Sequence, residues 1–466
     1  MNLSALSAAV LLSIASNQVG AADNYADFPI TLKGYSGDAT DSVAYQGQVA
    51  RQVLHTSLKK LARSSDGDNA KPLSQLMQNY YAGGKAGLDI IDPTSREGFP
   101  LHEQTVDDLS KNKNLSDKAY KGLVTGWPGN LTGDEVLQQL LKNAAQTPEG
   151  YDRLNGYDYS QLVSKFTMGA VFYHQAVANY LDKKLAADVK PNDKAYKKGV
   201  AYTGKEHIWD EAFGYFGAPA HTLNLTAEQV YAIGKQKPAA FAVADANGDG
   251  KVSLYNEMAF GHAVYAAGSD RSGKSQYLHT ITQAFVDGRK LITAANGQAL
   301  TAEQRNQLQG YARVIASNWE KVIAEAVFKY AGEVYEDLEK LDLVIETNGD
   351  AGKLFRNYVK HWGELKGFAL ALQTSGKDLG ATSVQLNRLI GYGPVLLGNT
   401  QVTGVNANGD FIQSESVTLK EYMHSMLKVQ KLLLDEFALT ARQGDVLSDM
   451  SELADKLGSG KSAEND

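Results

Sequence analysis

The sequence predicts an all-α fold built from two duplicated helical bundles, with one minor β-hairpin. Apolar residues recur at helical spacing along most of the chain, and capping boxes mark several helix starts. Strand-like alternation is confined to one short segment near residue 400. With 466 residues, 43% of them hydrophobic and 21% charged, the chain can bury a substantial core.

The helices can be placed in chain order. An apolar stripe predicts the first, through Val49, Val53, Leu58 and Leu61. Thr132, Thr226 and Thr301 each precede a Glu or Gln by three residues, which predicts helices that begin there, the last reaching about residue 341. Periodicity predicts further helices at residues 159–185, 193–215, 275–295, 353–373 and 418–439. The hairpin is expected at residues 401–412, and Gly/Asn/Asp-rich loops are expected at residues 64–71, 93–107 and 347–352.

The first 21 residues have the pattern of a secretory signal. An apolar run at residues 6–15 is followed by polar residues and by the small-residue site Val19-Gly20-Ala21. We therefore expect cleavage near Ala21 and export to the periplasm or the exterior of a bacterial cell; the alternative is an N-terminal helix of the fold. No later run reaches the ~18 apolar residues of a membrane span, so none is predicted.

Composition excludes several classes of function. A net charge of -7 argues against a nucleic-acid partner, which needs a basic face. The absence of cysteine excludes disulfides, thiolate metal sites, iron–sulfur clusters and a cysteine nucleophile. No phosphate-binding loop, Gly-x-Ser-x-Gly elbow or His-Glu-x-x-His helix is present.

A faint internal similarity suggests a duplication. A pair of segments, residues 168–180 and then 206–217, resembles a second pair, residues 325–335 and then 360–372. In each pair, a helix rich in aromatic and small residues precedes a helix with a His-aromatic-Glu cluster. The predicted organisation is a signal peptide (1–21), an N-terminal bundle half (22–235), a linker (236–272), a C-terminal bundle half (273–457) and a disordered tail (458–466).

The densest group of chemically active residues is Gly204 to Gly217. On a helix, His207 lies one turn from both Asp210 and Glu211, so an imidazole and two carboxylates share a face. This set suits iron, zinc or manganese, because a nitrogen ligand is combined with carboxylate oxygens. The alternative is a His–carboxylate hydrogen bond that holds a buried imidazole.

Four more residues are candidate metal ligands. His361 and Glu364 lie three positions apart on the matching helix of the second half, and His174 and Glu325 lie on the helices that precede the two clusters. A histidine on an apolar stripe is also typical of a hydrogen-bonded core residue.

Residues 245–257 resemble the front of a calcium loop. Asp245, Asn247 and Asp249 occupy positions one, three and five, and Gly250 permits the turn at position six. The remaining candidate ligands are Lys251 through its carbonyl, Asn256 at position twelve and Glu257 one place later. Because a bidentate Glu is missing at position twelve, we expect weak calcium binding; the alternative is a Gly-rich surface turn.

The chain resembles the imelysin-like family of secreted bacterial helical proteins. The resemblance rests on residues 45–52, 155–159, 169–175 and 361–370 and, most specifically, on residues 206–217. The family signature is Gly-x-His-x-x-Glu, whereas here two residues separate Gly204 from His207 and three separate His207 from Glu211. The resemblance implies two helical bundles related by duplication, export and a link to iron uptake, with His207 and one of Asp210 or Glu211 at the site.

The leading hypothesis is therefore an exported metal-binding protein that serves iron or related metal acquisition, with an outer-membrane or surface uptake protein as partner. The alternative is a structural or ligand-binding helical module that calcium stabilises. A metal-dependent hydrolase with Glu211 as general base is a third possibility, for which no motif is recognisable.

Overall fold

Helices dominate the computed structural model, which describes residues 24–451, and this confirms the predicted all-α class. The predicted signal peptide and the predicted C-terminal tail lie outside the described residues. The helices are α1 (Gln46–Leu61), α2 (Ala70–Ala82), α3 (Val106–Leu109), α4 (Gly133–Gln146), α5 (Tyr159–Thr167), α6 (Gly204–Phe216), α7 (Ala227–Gly234), α8 (Phe241–Ala244), α9 (Gly261–Asp270), α10 (Tyr277–Ala294), α11 (Ala302–Glu346), α12 (Gly352–Leu372), α13 (Gly380–Ile390) and α14 (Leu419–Phe437).

Other elements are short, apart from one π-helix, Met168–Tyr180, which continues directly from α5. Strands β1 (Tyr151–Asp152) and β2 (Tyr157–Asp158) pair antiparallel, as do β3 (Thr400–Val405) and β4 (Phe411–Glu415). The β3–β4 pair is the predicted hairpin. Short 3₁₀ turns lie at Ser116–Lys118, Pro148–Gly150, Lys183–Leu185, Thr222–Asn224, Pro238–Ala240 and Gln373–Ser375.

The predicted helix starts at Thr132, Thr226 and Thr301 are confirmed. Each threonine side chain accepts a hydrogen bond from the backbone N–H three residues later, and the Glu or Gln there accepts from the threonine N–H. The helix predicted at residues 193–215 begins only at Gly204, so its first part is wrong. Thr203 and Glu206 form a capping box that sets this start, and the segment before it consists of turns.

The 45-residue helix α11 forms the centre of the C-terminal part, where it packs against α10, α12 and α14. Helix α12 also packs against α5 and the π-helix, which joins the predicted halves. This approach is close: a Cβ atom on Gly169 would lie 2.2 Å from the Cβ of Ala371, so only glycine fits there. Within residues 24–451, no helix has the length and hydropathy needed to cross a membrane.

Candidate functional site

Helix α6 carries the principal candidate residues and is buried against α1, α10 and the π-helix. Its N-terminus is fixed by the capping box of Thr203 and Glu206, and its C-terminus ends at Gly217, which adopts a left-handed conformation with a φ of 84°. His207 and Glu211 are one helical turn apart and lie on the same face.

Glu211 is the centre of a partly enclosed polar site. Its Oε1 accepts hydrogen bonds from Gln48 Nε2 at 2.8 Å and from the Tyr180 hydroxyl at 3.2 Å, and it lies 3.8 Å from His207 Nε2. Its Oε2 is buried and has no hydrogen-bond partner among the described residues, and the same is true of His207 Nδ1. Such unpaired atoms cost free energy unless a ligand satisfies them.

Aromatic rings cover the imidazole. The ring centroids of Tyr196 and Tyr202 lie 4.2 Å and 4.5 Å from that of His207, and Tyr202 is stacked on it. Burial lowers the pKa of His207 to about 4, although the charge of Glu211 opposes this shift. The imidazole is therefore neutral at physiological pH, which is the form that binds metals.

Cationic side chains surround Glu211 at longer range. Burial lowers the pKa of Lys113, Lys118 and Lys184, and the charge of Glu211 opposes this shift in all three. Burial raises the pKa of Tyr180, whereas the positive charge of Arg51 acts to lower it. The site thus combines one carboxylate with several positive charges that favour additional anionic groups.

Asp210 does not share this site. Its carboxylate instead accepts hydrogen bonds from Arg289 Nε at 2.9 Å, the Tyr25 hydroxyl at 3.0 Å and the Ala44 N–H at 3.1 Å. Arg289 also binds Glu206 at 3.1 Å, and all three charged side chains are fully buried. This ion-pair network anchors α6 to α10.

The other predicted ligands have separate partners. His174 Nδ1 lies 2.9 Å from the Thr374 carbonyl oxygen, in keeping with a hydrogen-bonded core histidine. His361 Nδ1 lies 2.7 Å from Asp337, whereas Glu364 pairs with Lys165 at 3.2 Å. Across residues 24–451, no three His, Asp or Glu side chains are grouped as a metal site.

The predicted calcium loop is tightly folded. Asp245 accepts hydrogen bonds from the N–H groups of Asp249 and Gly250. The buried Glu257 carboxylate accepts hydrogen bonds from the backbone N–H groups of Ala246, Asn247 and Ser253. Val252 forms a parallel bridge with Leu101. The side chains of Asn247, Lys251 and Asn256 are exposed or partly exposed.

An outside residue also contacts this loop. His102 Nε2 lies 2.9 Å from Asp249 Oδ2, so the carboxylate at position five already has a hydrogen-bond partner. A calcium ion would compete with this contact for Asp249.

Sequence reasoning missed the residues that complete the His207–Glu211 site. Gln48 and Tyr180 lie 163 and 31 positions away from Glu211, so helical spacing could not reveal their contacts. The high tyrosine content of the chain, 24 residues, was the one available signal, and four of these tyrosines line or adjoin the site: Tyr180, Tyr196, Tyr202 and Tyr215.

Comparison with known proteins gives one match. Residues 142–345 match the model of a family described as a domain of unknown function (DUF4856). The matched segment contains the π-helix, α6 and the predicted calcium loop, whereas Gln48 and α12 lie outside it. No curated protein and no solved structure matches the chain. The resemblance to the imelysin-like proteins stays a prediction, and residues 142–345 are similar to the DUF4856 family.

Proposed function

We propose that this chain is an exported metal-binding protein that serves the acquisition of iron or a related metal, with its metal site at His207 and Glu211. The observation that carries the proposal is the buried Oε2 of Glu211, which lacks a hydrogen-bond partner among the described residues while Oε1 lies 3.8 Å from a neutral imidazole. A bound cation would satisfy that oxygen and neutralise the carboxylate.

The available ligands favour ferric iron. Besides the imidazole and the carboxylate, the Tyr180 hydroxyl offers an oxygen donor 3.2 Å from Glu211 Oε1. Iron accepts imidazole and oxygen ligands together, and a phenolate is a hard anionic donor. Burial raises the pKa of Tyr180 and the charge of Arg51 opposes this only in part, so the phenolate would form when a bound metal displaces the hydroxyl proton. Asp210 and His174 are not part of this proposed site, because each has a different partner.

Export, duplication and a weak calcium site belong to the same proposal. Export rests on the signal-like pattern before Ala21 and on the resemblance to the imelysin-like proteins. In the loop at residues 245–257, calcium would have a stabilising role, supported by the order of its oxygen-bearing residues. The alternative function, a helical module with calcium alone, predicts no transition-metal binding.

Elemental analysis of protein purified without chelators tests the proposal, together with calorimetric titration of the protein with ferric iron and zinc. We expect stoichiometric transition metal in the wild type and its loss in His207→Ala and Glu211→Ala, with the helical circular dichroism retained. Tyr180→Phe should remove a visible phenolate-to-iron absorption band while leaving zinc binding weakened rather than abolished. Exposed His424 provides the matched control, and His424→Ala should bind as the wild type does.

The opposite pattern would refute the proposal. If the wild type holds no transition metal, and His207→Ala merely destabilises the fold by about 1–3 kcal/mol, the pair is a structural hydrogen-bonding unit. Calcium as the sole bound metal would favour the alternative function.

A further inference from the structure

A second site lies between α1, α5, α7 and α9, and it shares none of the residues that contact Glu211. It is a cavity of about 300 Å³, a volume that suits a small organic molecule. Its charged lining residues come from five separate parts of the chain: Lys59, Asp92, Arg96, Lys165, Lys235 and Glu364.

The lining carries an excess of positive charge. The Lys165 side chain is only 3% exposed, and its Nζ lies 3.2 Å from Glu364 Oε1. Arg96 pairs with Asp92 at 3.9 Å. The two charges within each pair cancel. This leaves the positive charges of Lys59 and Lys235 without an acidic counterpart in the cavity wall.

The lysines repel one another across the cavity. The charge of Lys165 is the main cause that lowers the pKa of Lys59, to about 7, and burial adds to it. Glu364 opposes this shift, whereas Arg63 and Lys235 contribute to it. Grouping cations around a partly buried space in this way is unfavourable unless an anion binds between them.

The N-terminus of α9 opens onto the same cavity. Gly261, its first residue, lines the wall, and no side chain caps the helix. The free N–H groups and the dipole of a ten-residue helix add to the attraction for an anion.

His55 supplies a different kind of contact. This 4% exposed residue lines the cavity, and its Nε2 lies 2.9 Å from the Ser164 carbonyl oxygen, which requires Nε2 to carry the proton. Nδ1 is therefore an acceptor, and it is buried without a partner among the described residues. A hydroxyl group on a ligand could donate a hydrogen bond to it.

We propose that this cavity binds a small organic anion that bears a carboxylate or phosphate group together with a hydroxyl group. Lys59, Lys165 and Lys235 would hold the anionic group near the start of α9, and His55 Nδ1 would accept from the hydroxyl. Met168, Met258 and Val264 give part of the wall an apolar surface for the carbon skeleton.

Calorimetric titration of the full exported chain at constant ionic strength tests the proposal, with malate, succinate and inorganic phosphate as probes. We expect malate to bind more tightly than succinate, which lacks the hydroxyl group. Tighter binding of phosphate than of malate would assign the site to phosphate esters, and the reverse would assign it to hydroxycarboxylates.

Variants locate the site. Lys59→Gln, at a partly buried position, should weaken binding of the best probe by roughly tenfold or more, because the variant removes one charged hydrogen-bond donor to the anion. Lys60→Gln is the matched control, because Lys60 is the exposed neighbour on α1 and does not line the cavity. Lys235→Gln is a second test at an exposed position, whereas replacing Lys165 risks unfolding.

The proposal is overturned if no probe binds at millimolar concentration, or if Lys60→Gln weakens binding as much as Lys59→Gln does. The second result would indicate general attraction between the anion and surface lysines. Because the His207–Glu211 site shares no residue with this cavity, His207→Ala should leave anion binding unchanged whatever its effect on metal.

Discussion

His262 should make the folded protein lose stability in mild acid. This histidine is fully buried near the start of α9, where its ring lies 5.3 Å from that of Trp319 and 6.3 Å from that of Tyr173. Neither ring nitrogen has a hydrogen-bond partner among the described residues. Burial, assisted by the nearby His55, lowers the pKa of His262 to about 3.

The size of the effect follows from linkage. The unfolded chain protonates His262 near its ordinary pKa of 6.5, whereas the folded chain does so only near 3. Between these values the unfolded state binds more protons, so the free energy of unfolding falls as the pH falls. At about pH 5, one and a half pH units below the unfolded pKa, the free energy of unfolding is lower by about 2 kcal/mol than at neutral pH.

Urea unfolding of the wild type and His262→Leu measures this contribution. At neutral pH the variant should be as stable as the wild type or more stable, because leucine removes two unpaired polar atoms. At about pH 5 the difference should shift in favour of the variant by about 2 kcal/mol. His424→Gln, at an exposed position, is the control and should follow the wild type.

Titrations of other groups, including His55, occur in both proteins and cancel in the comparison. Equal losses of stability in wild type and His262→Leu between these pH values would refute the reasoning. So would an NMR titration in which the folded-state pKa of His262 lies near 6.5.

Two further predictions concern the buried ion pairs and the loop. Arg289→Met should lower the free energy of unfolding by about 3–5 kcal/mol, because Glu206 and Asp210 would both lose their buried partner. Urea unfolding measures this loss, and a loss below about 1 kcal/mol would show that these acids are protonated or solvated. Calcium should bind the loop with a Kd of roughly 10⁻⁴–10⁻³ M and raise the Tm of the wild type but not of Asp249→Ala. An unchanged Tm in both proteins would mean that the loop is only a turn.

The helices were predictable wherever local chemistry determines them. Thr132, Thr226 and Thr301 each mark a helix start with a side chain that bonds within three residues, so no distant contact is needed. The hairpin likewise follows from the turn at Asn408-Gly409. Helices α2, α9 and α13 were missed. Helix α2 has no side-chain cap to mark its start, and α9 and α13 are rich in Gly, Ala, Ser and Thr.

The candidate site was only half predictable. Helical spacing placed His207 beside Glu211, and the structure brings them together. The same spacing allowed Asp210 to join them, but Asp210 pairs instead with Arg289, 79 residues away on α10. Which of two neighbouring carboxylates faces a site depends on long-range partners, and these are not visible in a periodic pattern.

The two helix pairs that the sequence relates to each other differ in one decisive contact. In each, a glutamate accepts a hydrogen bond from a tyrosine on the preceding long helix: Tyr180 to Glu211 at 3.2 Å, and Tyr330 to Glu364 at 3.1 Å. Beside Glu364 lies the buried Lys165, which neutralises it, and both side chains line the anion cavity.

The corresponding contact to Glu211 comes from the neutral amide of Gln48, which leaves the carboxylate charge for another cation. Among the described residues, one glutamate therefore has no lysine or arginine partner, whereas the other is paired with a buried lysine. Exchanging these contacts tests the idea: Gln48→Lys should place an ammonium group beside Glu211 and abolish transition-metal binding. Anion binding at Lys59 and Lys165 should persist in that variant, and its loss would show that the two sites are not independent.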